Sequence, residues 1–179
     1  RDDSALWTKL SVAALATPPK ENEAFVLQQA ATSAALNAYL TSRATNSRAD
    51  ALVALAQALD KRGEGRPAIN AYKTALELRP DKAVEAAYKD IKSRKGFRVT
   101  DHSVDTAAET PRVCVQFSES LAEADHASFM LIDDAAPKSV SKEDQQLCAD
   151  GLESGKRYKV TIRQGLPSVV DEVSESPVT

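Results

Sequence analysis

The chain is poor in the residues on which most catalytic and metal chemistry depends. Its 179 residues include two cysteines, two histidines, one methionine and one tryptophan. Neither His102 nor His126 has a second His or Cys at ligand spacing, which excludes the common zinc patterns. There is no Gly-rich phosphate loop, no Gly-x-Ser-x-Gly elbow and no His-Glu-x-x-His helix. The carboxylate pairs Asp2-Asp3, Asp133-Asp134 and Glu143-Asp144 fall at a terminus or in turn-rich stretches, where solvated charge is the default. The expectation is a protein without catalytic residues, cofactor or metal. No stretch approaches the roughly 18 apolar residues that span a bilayer, and the uncharged stretch Ala30 to Ser42 is broken by Thr32, Ser33 and Asn37. The chain opens on Arg1 and closes on Ser176-Pro177-Val178-Thr179, which predicts a piece of a longer protein with any targeting segment removed.

What is present is ordinary for a soluble globular chain, with 42% hydrophobic and 27% charged residues. Aromatics make up only 5%, so the interior must be built from Ala, Leu and Val. The net charge of −3 is unevenly spread. Residues 1–95 hold 15 Lys and Arg against 11 Asp and Glu, whereas 96–179 hold 8 against 15. This asymmetry predicts two units, 1–95 and 96–179. No basic stripe interleaved with aromatics points to nucleic acid. The cluster Lys89, Lys92, Arg94, Lys95 and Arg98 reads as a helix C-terminus complementing its dipole.

The first half has helical periodicity throughout. Leu6, Leu10 and Ala14 share one face of a short helix that Pro18-Pro19 must end. A second helix is predicted over 22–43, with Phe25, Leu36, Tyr39 and Leu40 as its large apolar residues, and Trp7 and Tyr39 are expected in the core. A third, near 47–62, places Leu52, Leu55, Ala56 and Leu59 at i, i+3, i+4, i+7 spacing and stops at Gly63-Glu64-Gly65. A fourth starts at Pro67, a favourable first-turn residue, and ends by Pro80. The fifth, over 81–94, has Asp81 as its N-cap and Gly96 as its stop.

Residues 47–82 resemble a tetratricopeptide repeat (TPR). Leu52, Leu55 and Ala56 match the first helix, Gly63 the turn, Ala68, Tyr72 and Ala75 the second helix, and Pro80 the close; Leu59 stands where an aromatic is usual. An isolated repeat needs neighbours to bury its faces, so the flanking helices must act as caps.

After Gly96 the apolar period changes from 3.6 to 2. Phe97 and Val99, then Val113, Val115 and Phe117, then Tyr158, Val160 and Ile162 alternate with polar residues, and Phe129 to Ile132 is a run of strand length. Turn-rich pieces separate them at Glu109-Thr110-Pro111, at 133–138, and at Asp150-Gly151 with Gly155. This rhythm predicts a small antiparallel β-sandwich, giving an α+β chain overall. Leu152-Glu153-Ser154-Gly155 ahead of Tyr158 resembles the corner motif of fibronectin-like domains, in which the tyrosine hydroxyl satisfies nearby backbone. Cys114 and Cys148 both fall in β segments of this unit. They pair in an oxidising compartment and remain buried thiols in a reducing one.

The order of elements carries a wider resemblance. The helical segment and repeat are followed by Gly96-Phe97-Arg98-Val99-Thr100 and by Pro111-Arg112-Val113-Cys114-Val115-Gln116-Phe117. Then come Gln146-Leu147-Cys148-Ala149-Asp150-Gly151 and Gly155-Lys156-Arg157-Tyr158, leading to Arg163-Gln164-Gly165-Leu166-Pro167-Ser168. This succession resembles the N-terminal region of the large bacterial α2-macroglobulin-like proteins, most firmly over 96–170. The resemblance implies a periplasmic or otherwise exported protein, with any membrane anchor supplied by a preceding segment, built from macroglobulin-type β-sandwiches that trap proteases. It also implies a Cys114–Cys148 disulfide. The thioester sequence of that family, Cys-x-Glu-Gln, is absent, so trapping would reside in parts of the protein outside this chain, and the β-unit would be cut short at its C-terminus. The implied role is a scaffold whose partners are the other domains of the parent and a protease or periplasmic protein. The alternative is a TPR-type adaptor binding a peptide on the helical face that carries Asp50, Val53, Gln57, Asp60 and Lys61.

Overall fold

Five helices precede six short strands in the computed structural model, which describes residues 3–105 and 111–179. The chain divides into two units, Arg1–Gly96 and Phe97–Thr179.

The helical unit consists of α1 (Ser4–Ala16), α2 (Ala24–Thr41), α3 (Thr45–Lys61), α4 (Gly65–Leu78) and α5 (Lys82–Lys95). Helix ends follow local chemistry. Gly63 adopts the left-handed conformation, φ 81°, that lets α3 turn into α4. Asp81 caps α5, its carboxylate accepting from the backbone N–H groups of Ala83 and Val84 at 2.8 and 3.2 Å. The α4 helix starts at Gly65, two residues ahead of Pro67. Gly65 is needed there because a Cβ would come within 2.6 Å of Lys95 Cβ. The hairpin α3–α4 packs through Leu52, Ala56, Leu59, Ala68, Ile69, Tyr72 and Ala75, joined by Ile91 of α5.

On α1 and α2 the small residues, not the large apolar ones, form the buried faces. Leu6 and Leu10 are largely exposed; of the face they share only Ala14 is buried, together with Ser4 and Ser11. On α2 the buried residues are Ala31, Ala34, Ala35 and Ala38, while Phe25, Leu36 and Leu40 lie outside. The physical reason is that small side chains let helix backbones approach closely, so the Ala/Ser stripe, not the leucine stripe, became the contact face. Tyr39 is half-buried against the helical core, with the Arg48 guanidinium 5.3 Å from its ring centre. Trp7 is also only half-buried.

The β-unit comprises β1 (Val99–Asp105), β2 (Arg112–Phe117), β3 (Met130–Ile132), β4 (Ser139–Glu143), β5 (Gln146–Asp150) and β6 (Val160–Ile162), with a 3-10 turn at His126–Phe129. All pairings are antiparallel. One sheet has the order β1-β2-β5-β4, the other pairs β3 with β6. Both sheets contribute to one core, in which Phe117, Leu121, Met130, Leu147 and Leu166 are fully enclosed. Each contributes roughly 1.5–3 kcal/mol relative to exposure. Phe97 and Phe117 stack at 5.5 Å between ring centres. The expected turn at 133–138 is present, with Asp133 and Asp134 both at positive φ. The β4–β5 hairpin was not expected; it turns at Asp144, φ 48°, so Glu143 ends a strand and is not in a turn. The expected turn residues Glu109 and Thr110 lie outside the described residues, as does Asp2.

Candidate functional site

On the helical unit, three of the five residues expected on a binding face come together. Asp50, Val53 and Gln57, one turn apart along α3, line a groove of about 500 Å³ opposite Thr8 and Val12 of α1. Asp50 is held by Arg79, whose Nη2 lies 2.6 Å from its Oδ1, and this hydrogen bond raises the pKa of the guanidinium. Asp60 does not join the groove. Arg94 of α5 claims it, donating to Asp60 Oδ2 at 3.0 Å and to Asp90 Oδ2 at 2.8 Å. Lys61 stands apart as well, beside a smaller recess formed by Leu15, Pro19 and Leu27. The face read from one helix is therefore divided by the helices packed around it.

The histidines stay apart from each other. His102 lies exposed within strand β1. His126 is half-buried, and its Nε2 lies 2.8 Å from the Ala122 carbonyl oxygen. Asp133 Oδ1 accepts from the Lys159 backbone N–H at 2.8 Å, and Asp134 pairs with Lys159 Nζ at 2.9 Å, so this carboxylate pair braces a turn. Among the described residues no three His, Cys, Asp or Glu side chains gather as a metal site. Among the described residues no helix is long and apolar enough to cross a membrane.

The β-unit carries its own cross-links. Cys114 and Cys148 form a disulfide and are directly opposed partners on the neighbouring strands β2 and β5. They point away from the core face, since Val113, Val115, Leu147 and Ala149 occupy that face by alternation. Yet Cys148 is fully buried. Arg112, two residues before Cys114, reaches Glu143 on β4 with 3.2 Å between Nη1 and Oε1. The register sets Cys148 midway between these two side chains, so their ion pair lies across the bridge. The Tyr158 hydroxyl accepts from the Glu153 backbone N–H at 2.9 Å, the geometry that the corner motif requires.

Glu172 was not singled out in the sequence. It is buried and accepts from the Phe97 backbone N–H at 2.8 Å, fixing the start of the β-unit. Only its pairing partner, 75 residues earlier, shows its role.

A second concavity, of about 410 Å³, opens in the β-unit between the core-facing side of β1–β2 and the edge of β6. Its lining is mostly apolar, with Val104, Val115, Tyr158, Val160 and Val178 among the residues. Compared with protein-family models, with curated proteins and with solved structures, the chain has no match.

Proposed function

We propose that this chain is a non-catalytic scaffold segment of an exported, α2-macroglobulin-like protease inhibitor. The observation that supports it most is the Cys114–Cys148 bridge between paired strands, because such bonds form and persist mainly in oxidising compartments. The corner geometry at Tyr158 is consistent with a macroglobulin- or fibronectin-type β-unit. In this reading the helical unit serves as a platform and the β-unit as the first of a series, positioning the domains that meet the protease. The test is twofold. Protein recovered from its native host should take up no alkylating label before reduction and two after it. Its reading frame should continue into further β-domains. Immediate labelling of both thiols, or a stop shortly after Thr179, would refute the proposal.

A specific observation favours a second reading, a TPR-type adaptor. Asp50, Val53 and Gln57 line one groove on the helical unit, suited to an extended peptide. Saturable peptide binding that is lost in Gln57→Ala and Val53→Asp, with the helical content unchanged, would favour the adaptor.

A further inference from the structure

One face of α2 is left to water although its composition suits burial. Helix α2 carries no charged residue over its 18 positions, in a chain in which 27% of residues are charged. Ala31, Ala34, Ala35 and Ala38 bury one side of it against α1 and α3. On the opposite side, at about 100° per residue, Val26, Gln29, Ala30, Leu36, Asn37 and Leu40 all fall within about 60° of the Ser33 direction. Val26 is 62%, Leu36 47% and Leu40 69% exposed, with Phe25 at the rim at 67%. No element among the described residues covers them. Large apolar residues exposed together in this way mark a contact surface.

We propose that this face is the two-fold interface of a homodimer, with α2 packed antiparallel on α2 of a second copy about an axis at Ser33. The stripe is its own complement under that operation. Val26 meets Leu40 of the other copy, Gln29 meets Asn37, Ala30 meets Leu36, and Ser33 meets itself. Apolar faces apolar, amide faces amide, and a small hydroxyl at the axis lets the backbones approach, as a self-complementary contact requires. The missing charge fits a second copy in particular. Near a two-fold axis a charged side chain lies beside its own copy, and like charges there repel; α2 brings none. Contact with a different protein imposes no such restriction. The surface is also large enough. Phe25, Val26, Leu36 and Leu40 leave on the order of 450 Å² in water, more than half of the about 800 Å² per partner that a stable interface covers. Leu6 and Leu10 on the neighbouring α1, 63% and 50% exposed, add to the apolar surface of the same hairpin. The interface belongs to the helical unit and holds under either reading of the chain's role.

Sedimentation velocity of the full chain at roughly 1 to 100 µM should show a concentration-dependent dimer. Ser33→Arg sets like charges against each other at the axis and should weaken that dimer at least ~10-fold, with the helical circular dichroism of the dilute monomer unchanged. Register is read by cross-linking. Both native cysteines are bridged, so a Ser33→Cys chain has one free thiol, on the axis, and should oxidise to a covalent dimer. A Gln29→Cys chain sets its two thiols about 12 Å apart along the helices, beyond disulfide reach, and should cross-link at least ~10-fold more slowly. An equal mixture of Gln29→Cys and Asn37→Cys chains should recover the fast rate. A chain still monomeric at about 100 µM would overturn the proposal, leaving the face to a different polypeptide. So would a dimer indifferent to Ser33→Arg, or equal cross-linking of the Ser33→Cys and Gln29→Cys chains.

Discussion

Removing the disulfide should destabilise the β-unit selectively. In the double variant Cys114→Ala/Cys148→Ala, the denatured chain regains the freedom of a loop whose ends are 34 residues apart. The chain-entropy model puts the loss at about 3.8 kcal/mol at 25 °C. For a unit of this size, each 1 kcal/mol moves Tm by roughly 4–8 °C, so a fall of about 15–30 °C is expected. The two units can be followed separately because the only tryptophan, Trp7, lies in the helical unit. Trp7 fluorescence should report an unchanged helical transition, while amide signals of β2 and β5 report the early one. A variant whose β-unit melts within about 1 kcal/mol of the parent would refute the loop-entropy account, and a Trp7 transition that falls in step would refute the independence of the two units.

Gly65→Ala should destabilise the helical unit by about 1–3 kcal/mol, because the added methyl meets the root of Lys95 and not its mobile end; chemical denaturation followed at Trp7 checks this. Tyr158→Phe should cost the β-unit about 0.5–1.5 kcal/mol by leaving the Glu153 N–H without its acceptor, and calorimetry of the upper and lower transitions distinguishes this from a global effect. Burial, followed by the nearby Asp60 carboxylate, raises the pKa of Tyr72 above its ordinary value. A group raised on folding lends stability that is intact below about pH 10 and lost as pH climbs through the folded value. Helical Tm should therefore fall more steeply above about pH 10 in the parent than in Tyr72→Phe; parallel profiles would contradict it. Ser11 Oγ is buried without a hydrogen-bond partner among the described residues, so Ser11→Ala should raise helical stability by about 1 kcal/mol in a denaturant titration.

The helices were readable because their stops are local: Pro18-Pro19, Gly63, Pro80 and the Asp81 cap act within a few residues. Which face of a helix is buried is a tertiary decision, and α1 and α2 went against the size of their side chains. Strands β1 and β4 were hard to recognise for another reason. Val-Thr-Asp-His-Ser-Val-Asp, residues 99–105, lies almost wholly exposed, and Ser139–Glu143 carries a single apolar residue, so neither shows clean alternation. Their pairing to β2 and β5 defines them. The helical groove was legible to the extent that it follows one helix, through Asp50, Val53 and Gln57. Asp60 was lost to Arg94 because a cross-helix ion pair leaves no mark in the spacing of either residue.

The Arg112–Glu143 ion pair above Cys148 makes the bridge a clock. A reducing thiolate must approach along the S–S axis, and in the closed β-unit Cys148 is fully buried and Cys114 nearly so. Reduction at low reductant concentration then samples only those moments when the sheet has opened. Its rate, read by mass, becomes a measure of how often β2 and β5 part company, and a Glu143→Ala chain should be reduced faster than its change in melting temperature alone would explain.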